Sequence, residues 1–166
     1  DNAYEFLKKQ FYLRKVEKYY EAIVYSIPKP VAGEINIPIA SFLGKKKISY
    51  SAKAKEAITL YKVKKILQNN FSLIECRILT GRTHQIRVHL NANKLPIIGD
   101  KTYNPSNKIA KETPHELIET IRGFPRQALH SKKLSFKEMD TDEIISFEAK
   151  TPDDIDVLVN TIKKHI

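Results

Sequence analysis

Thr80-Gly81-Arg82-Thr83-His84-Gln85-Ile86-Arg87-Val88-His89-Leu90 decides how the rest of the chain is read. It follows a strand-like run and opens a helix-like one. Two arginines, two histidines and a glutamine crowd into eleven residues, and Ile86, Val88 and Leu90 remain to anchor them against a core. Buried charge is costly unless it is paired or hydrogen-bonded. Polar groups this dense beside a buried strand mark the wall of a site for an anionic ligand.

Upstream, Phe71, Leu73, Glu75, Arg77 and Leu79 alternate with Ser72, Ile74, Cys76, Ile78 and Thr80, a period of two. This strand pairs with residues 57–67 in a hairpin whose turn, Gln68-Asn69-Asn70, tolerates left-handed backbone. Gly81 ends the strand, and residues 83–92 form a helix. Leu95-Pro96-Ile97-Ile98-Gly99-Asp100 is an apolar loop closed by Gly99 and Asp100.

The first fifteen residues read as a helix with Ala3, Leu7, Phe11 and Arg14 near helical spacing and Asp1 or Asn2 as its cap. Residues 18–25 form a strand with Tyr20, Ala22 and Val24 on one face, ended by Pro28 and Pro30. Residues 33–39 are a short extended piece. Gly44-Lys45-Lys46-Lys47 is a basic loop, either a solvated turn or a phosphate contact. A polar stretch follows over 101–124, with a short helix around 115–121. Residues 128–136 and 143–150 make a second hairpin. Thr151-Pro152-Asp153-Asp154 starts a last helix whose apolar stripe is Ile155, Leu158, Val159 and Ile162. Antiparallel hairpins with a few helices give an α+β domain with a mixed, mostly antiparallel β-sheet and flanking helices.

The chain has 166 residues, enough for one domain with a sizeable core. Its apolar content of 42% excludes a disordered chain. No apolar run reaches the roughly 18 residues of a membrane span. A single cysteine, Cys76, suits the reducing cytoplasm, and its apolar strand context makes it a packing residue. Net charge is +10, which fits either a polyanionic partner such as nucleic acid or plain lysine enrichment.

Arg82 and Arg87 carry fork-shaped donors suited to phosphate or carboxylate. The alternative for Arg87 is a surface arginine on a helix. His84 and His89 are spaced by five, with no cysteine or carboxylate cluster to complete a metal site. Tyr20 is a phenol on a strand, two residues after Lys18, a position that as a rule is core or rim. Arg126-Gln127-Ala128-Leu129-His130 opens the second hairpin with another cation. With five glycines, the chain holds no glycine-rich phosphate loop.

These stretches resemble a known family. Residues 80–90, then Leu95-Pro96-Ile97-Ile98-Gly99-Asp100 with Tyr103, are similar to the third motif of ribosomal large-subunit and tRNA pseudouridine synthases of the A/C/D branch. Lys18-Tyr19-Tyr20-Glu21-Ala22-Ile23-Val24 resembles the family's tyrosine strand, and Ala57-Ile58-Thr59-Leu60-Tyr61, Arg126 to His130 and residues 147–154 also fit. The resemblance implies isomerisation of uridine in rRNA or tRNA, with no cofactor and no metal. It implies that Arg87 pairs with a nucleophilic aspartate and that Tyr20 stacks on the target base. Arg82, His84 and Arg126 with Lys45, Lys46 and Lys47 are expected to contact RNA. The nucleophile of the family lies in an His-Arg-Leu-Asp segment, which this sequence does not contain. The 166 residues are therefore expected to be the carboxy-terminal portion of one catalytic domain, inactive alone. The other reading is a non-catalytic RNA-binding module of the same fold.

Overall fold

The computed structural model describes residues 2–68, 70–106 and 109–165. Asp1, a candidate helix cap, and Asn69, in the expected turn, lie outside the described residues. Helix α1 spans Asn2–Tyr12, and strands follow as β1 Glu17–Tyr25, β2 Ala32–Asn36, β3 Ile39–Phe42, β4 Lys45–Ile48, β5 Ile58–Gln68 and β6 Phe71–Ile78. Then come α2 Gln85–Ala92, α3 His115–Gly123, β7 Leu129–Lys137, β8 Ile144–Glu148 and α4 Asp153–Lys164. Six strands form one sheet in the order β2-β5-β6-β1-β7-β8, every neighbouring pair antiparallel. The α+β architecture stands as the alternation of apolar residues implies.

Strand β1 lies inside this sheet, between β6 and β7, with Tyr20 opposite Cys76 on one side and Ser131 on the other. Its second half, Ala22 to Tyr25, is buried residue by residue because both faces of the sheet are covered there. The core joins Ile23, Phe71, Ile74, Leu90, Ile97, Leu117, Ile121, Leu158 and Ile162. Cys76 is fully buried within it, and burial pushes its thiol up to about 12, as a packing residue requires. The loop at 95–99 is part of this core. Ile98 N–H donates to the Ile23 carbonyl, Ala128 N–H to that of Ile98, and Ile23 N–H to that of Ala128.

Two expectations are corrected. Lys45, Lys46 and Lys47 do not form a loop. They lie in β4, which pairs with β3 in a separate two-stranded hairpin turned by Leu43 and Gly44, both left-handed. Primed two-residue turns of this kind match the strand twist, so a lysine tract beside one becomes a strand. Helix α1 is not anchored by the stripe read from its spacing. Phe11 is exposed, and the chain leaves the helix before Arg14, whose φ is 56°. The buried residue is Gln10, whose side-chain amide donates to the Lys137 carbonyl and accepts from its N–H, both at 2.8 Å. Helix α4 starts where the acidic first turn places it, with Ile155, Leu158 and Ile162 buried.

Candidate active site

The stretch from Thr80 to Leu90 divides its polar residues between two duties. Thr80, Gln85 and His89 turn inward. Ile58 N–H donates to Thr80 Oγ1 at 2.9 Å, and Thr80 Oγ1 donates to Gln85 Oε1 at 2.7 Å. Gln85 Nε2 donates to the Ile58 carbonyl and to Thr59 Oγ1. Thr59 Oγ1 lies 2.9 Å from His89 Nδ1, and His89 Nε2 lies 2.8 Å from the Ile37 carbonyl. A carbonyl only accepts, so His89 carries its proton on Nε2 and receives the Thr59 hydroxyl at Nδ1. His89 is 0% exposed, and burial lowers its pKa against the opposing Ile37 bond. This network ties the turn to β5 and to the chain before β3. It is a scaffold that engages both ring nitrogens of His89.

Arg82, His84 and Arg87 turn the other way. With Tyr20, Ile78, Gln127 and Leu129 they line a cavity of about 270 Å³. Helix α2 begins at Gln85, because His84 sits in the left-handed region at φ 58°. That kink directs His84 Nδ1 to the hydroxyl of Tyr103 at 2.8 Å. Burial and the nearby Arg87 charge lower the His84 pKa, with Asp100 opposing. Tyr103 also lies under the Arg87 guanidinium, 5.0 Å from ring centre to Cζ.

Arg87 is 11% exposed in its side chain, so it is not a surface arginine. It grips Asp100 with two parallel bonds, Nε to Oδ2 and Nη2 to Oδ1, each 2.8 Å. Asp100, 2% exposed, also accepts the N–H groups of Thr102 and Tyr103 on Oδ1. Burial alone would push its carboxyl up; the Arg87 bonds and these amides outweigh it and hold the carboxyl below the usual range. The pair raises the Arg87 pKa in turn. Asp100 thus closes its loop, as its sequence context suggests, and also fixes the arginine, which that context does not reveal. Among the described residues, no hydrogen bond engages Arg87 Nη1.

Tyr20 and Lys18 share a face of β1. A Cβ on Gly81 would lie 3.6 Å from Lys18 Nζ, an ordinary contact distance, which puts the ammonium beside the turn. Burial lowers the Lys18 pKa. Arg126 stands apart from the cavity. Its Nε and Nη2 hold Asp154 at the start of α4, and its Nη1 donates to the carbonyls of Gln127 and Leu129. Lys45 and Lys47 also lie away from it, whereas the Lys46 N–H reaches the Tyr103 hydroxyl at 3.3 Å.

The family model for RNA pseudouridylate synthase matches residues 1–92. A protein of Chlorobaculum parvum named as an uncharacterized RNA pseudouridine synthase is 38% identical over 168 residues, covering 95% of this chain and 50% of that relative. Ribosomal large subunit pseudouridine synthase D of Vibrio cholerae is 40% identical over 86% of this chain and 44% of its own length. The chain belongs to the RNA pseudouridine synthase family. The solved human RNA pseudouridylate synthase domain containing 4 superposes with a TM-score of 0.77 and 25% identity over 99% of this chain and 68% of that one. The chain spans about half the length of these two sequence relatives. Within the synthase fold, Gln127 lines the cavity and Tyr103 braces His84 and Arg87, two contributions that the sequence analysis did not assign. Tyr103 was within reach as the tyrosine three residues after Asp100; Gln127 carries no signal of its own.

Proposed function

We propose that this chain forms part of an enzyme that isomerises uridine to pseudouridine in ribosomal or transfer RNA. The carrying observation is that Tyr20 and Arg87 wall one cavity, the arginine immobilised by Asp100. The isomerisation exchanges the N1–C1′ bond for a C5–C1′ bond, and the proton on C5 must leave. A base reaches such a cavity only after leaving its stack. Tyr20 then offers an aromatic face to the flipped uracil and a phenol oxygen for the departing proton. Arg87 holds a carboxylate nucleophile ionised, because an opposite charge nearby favours the charged form. Arg82 and His84 face the RNA backbone at the cavity rim. The reaction takes no cofactor and no metal, and it belongs with RNA in the cytoplasm.

In this reading the nucleophile is carried by an His-Arg-Leu-Asp segment, which these 166 residues do not contain. A version extended upstream through that segment is expected to convert uridine in cellular rRNA or tRNA, and the 166-residue chain alone to leave it unchanged. If the extended protein modifies no uridine in either RNA pool, the isomerase reading is wrong. A second reading, an RNA-binding module without catalysis, is favoured by one observation: among the described residues no carboxylate lines the Tyr20 cavity. Coding sequence upstream of Asp1 that lacks the segment would select it.

A further inference from the structure

A second cleft, of about 300 Å³, shares Arg82 with the Tyr20 cavity. Lys46, Lys53, Lys55 and Arg82 bring four cations to its walls, with Ser41 and Thr83 contributing hydroxyls, and no carboxylate lines it. The walls are held in place. Lys55 exchanges both backbone hydrogen bonds with Ile39 at 2.9 Å. Arg82 Nε donates to the Glu56 carbonyl at 2.8 Å, and Lys46 Nζ donates to Ser41 Oγ. The nearest acid in sequence, Glu56, is paired with Arg14. Among the described residues, Lys53 and Lys55 have no carboxylate partner, and the terminal nitrogens of Arg82 have no hydrogen bond. Cations gathered without counter-charges repel one another, and a bound anion removes that cost.

We propose that this cleft seats a backbone phosphate of the RNA strand whose target base enters the Tyr20 cavity. The proposal rests on the RNA reading above and adds where the strand is held. A phosphodiester presents two anionic oxygens: the Arg82 fork suits them bidentately, the lysines act as point charges, and the hydroxyls add neutral donors. Phosphate contacts set the register of a strand without reading its sequence. Arg82, lining both spaces, fixes the phosphate relative to the base. The lysine tract of β4 is not itself the site. Strand alternation puts Lys46 beside Ser41 and leaves Lys45 and Lys47 on the opposite face, where Lys47 Nζ sits 3.8 Å from the Phe42 ring centre.

The test compares two variants of equal charge in the 166-residue chain. Affinity for a fluorescein-labelled ten-nucleotide oligouridylate is measured over a series of KCl concentrations. Lys53→Ala with Lys55→Ala is expected to weaken binding about tenfold and to flatten the salt slope by roughly one to two. Lys45→Ala with Lys47→Ala is expected to lose only about twofold, through the general field. Lys53→Arg with Lys55→Arg retains the affinity, and melting curves check that each variant is folded. Equal losses from the two alanine pairs, or an unchanged slope for the first, overturn the cleft. A wild-type chain that does not bind oligouridylate at low salt overturns the cleft and the RNA reading together. Cleft-dependent binding by the chain, without isomerisation by the upstream-extended protein, supports the cleft and sinks only the isomerase.

Discussion

Arg87 and Asp100 form the most consequential side-chain pair in the molecule, since one partner wall faces the candidate active site and the other closes a core loop. Removing one charge of a buried pair leaves the other uncompensated, which costs more than the pair contributes. Asp100→Asn is therefore expected to lower the unfolding free energy by about 3 kcal/mol, read from urea unfolding. A loss below about 1 kcal/mol would mean that the guanidinium finds water instead. The carboxyl is held below its ordinary 3.8 in the folded state, so its contribution is complete above that value and is lost as pH falls through the lower folded one. Arg87→Lys keeps charge but loses the fork. In the upstream-extended protein it should cut turnover on the order of 100-fold while RNA affinity changes by less than about threefold. That Arg87 is buried was legible from Ile86, Val88 and Leu90 around it. Its partner was not, because Asp100 lies thirteen positions further on, past the end of α2 and across a loop, and spacing says nothing about where a loop folds back.

Helix α2 shows how one element can anchor a network and wall a site. Gln85 and His89 point into the network with Thr59 and Thr80, while His84, just before the helix, and Arg87 face the cavity. Gln85→Leu would remove the acceptor of the Thr80 hydroxyl and of the Arg82 N–H and one of the two donors to the Ile58 carbonyl, and is expected to cost about 2 kcal/mol. His89 gives the element a pH signature. Its folded pKa lies below the ordinary 6.5, so the unfolded chain takes up a proton first. The His89 contribution is whole above about 6.5 and erodes as pH falls below it, with a slope of at most about 1.4 kcal/mol per pH unit. Calorimetry between pH 7 and 5 should show Tm falling in the wild type and a flatter profile for His89→Gln. An identical profile in both proteins would remove His89 from the account. The helix itself was legible, but its start was not. A period of 3.6 cannot show that His84 takes a left-handed turn and delays the first helical residue to Gln85. The β4 lysines failed similarly, since their composition reads as loop while the Leu43–Gly44 turn imposes pairing. Gln10 escaped notice because a buried amide facing Lys137 has no local pattern.

At the scale of the whole molecule, three separate segments meet beside the cavity. Residues 95–99 lock against β1 and the start of β7 through the bonds among Ile23, Ile98 and Ala128, and Asp100 leaves that junction directly toward Arg87. Gly99 is where the junction is tightest. Its φ is +76°, and a Cβ there would lie 2.0 Å from the Arg126 carbonyl oxygen. Gly44 provides the matched control, with the same φ of +76° and nothing within 4 Å of an added Cβ. Left-handed strain alone should cost Gly44→Ala about 1 kcal/mol. Gly99→Ala carries the same strain plus a backbone collision that neither segment can relieve alone, so about 3 kcal/mol or more is expected. Because any relief moves residue 100 or residue 126, Gly99→Ala should also loosen the Arg87–Asp100 pair and reduce turnover of the upstream-extended protein, whereas Gly44→Ala acts on stability alone. Equal stability losses at the two glycines would show that the Arg126 backbone yields freely, and that the arginine owes its position to Asp100 without the junction behind it.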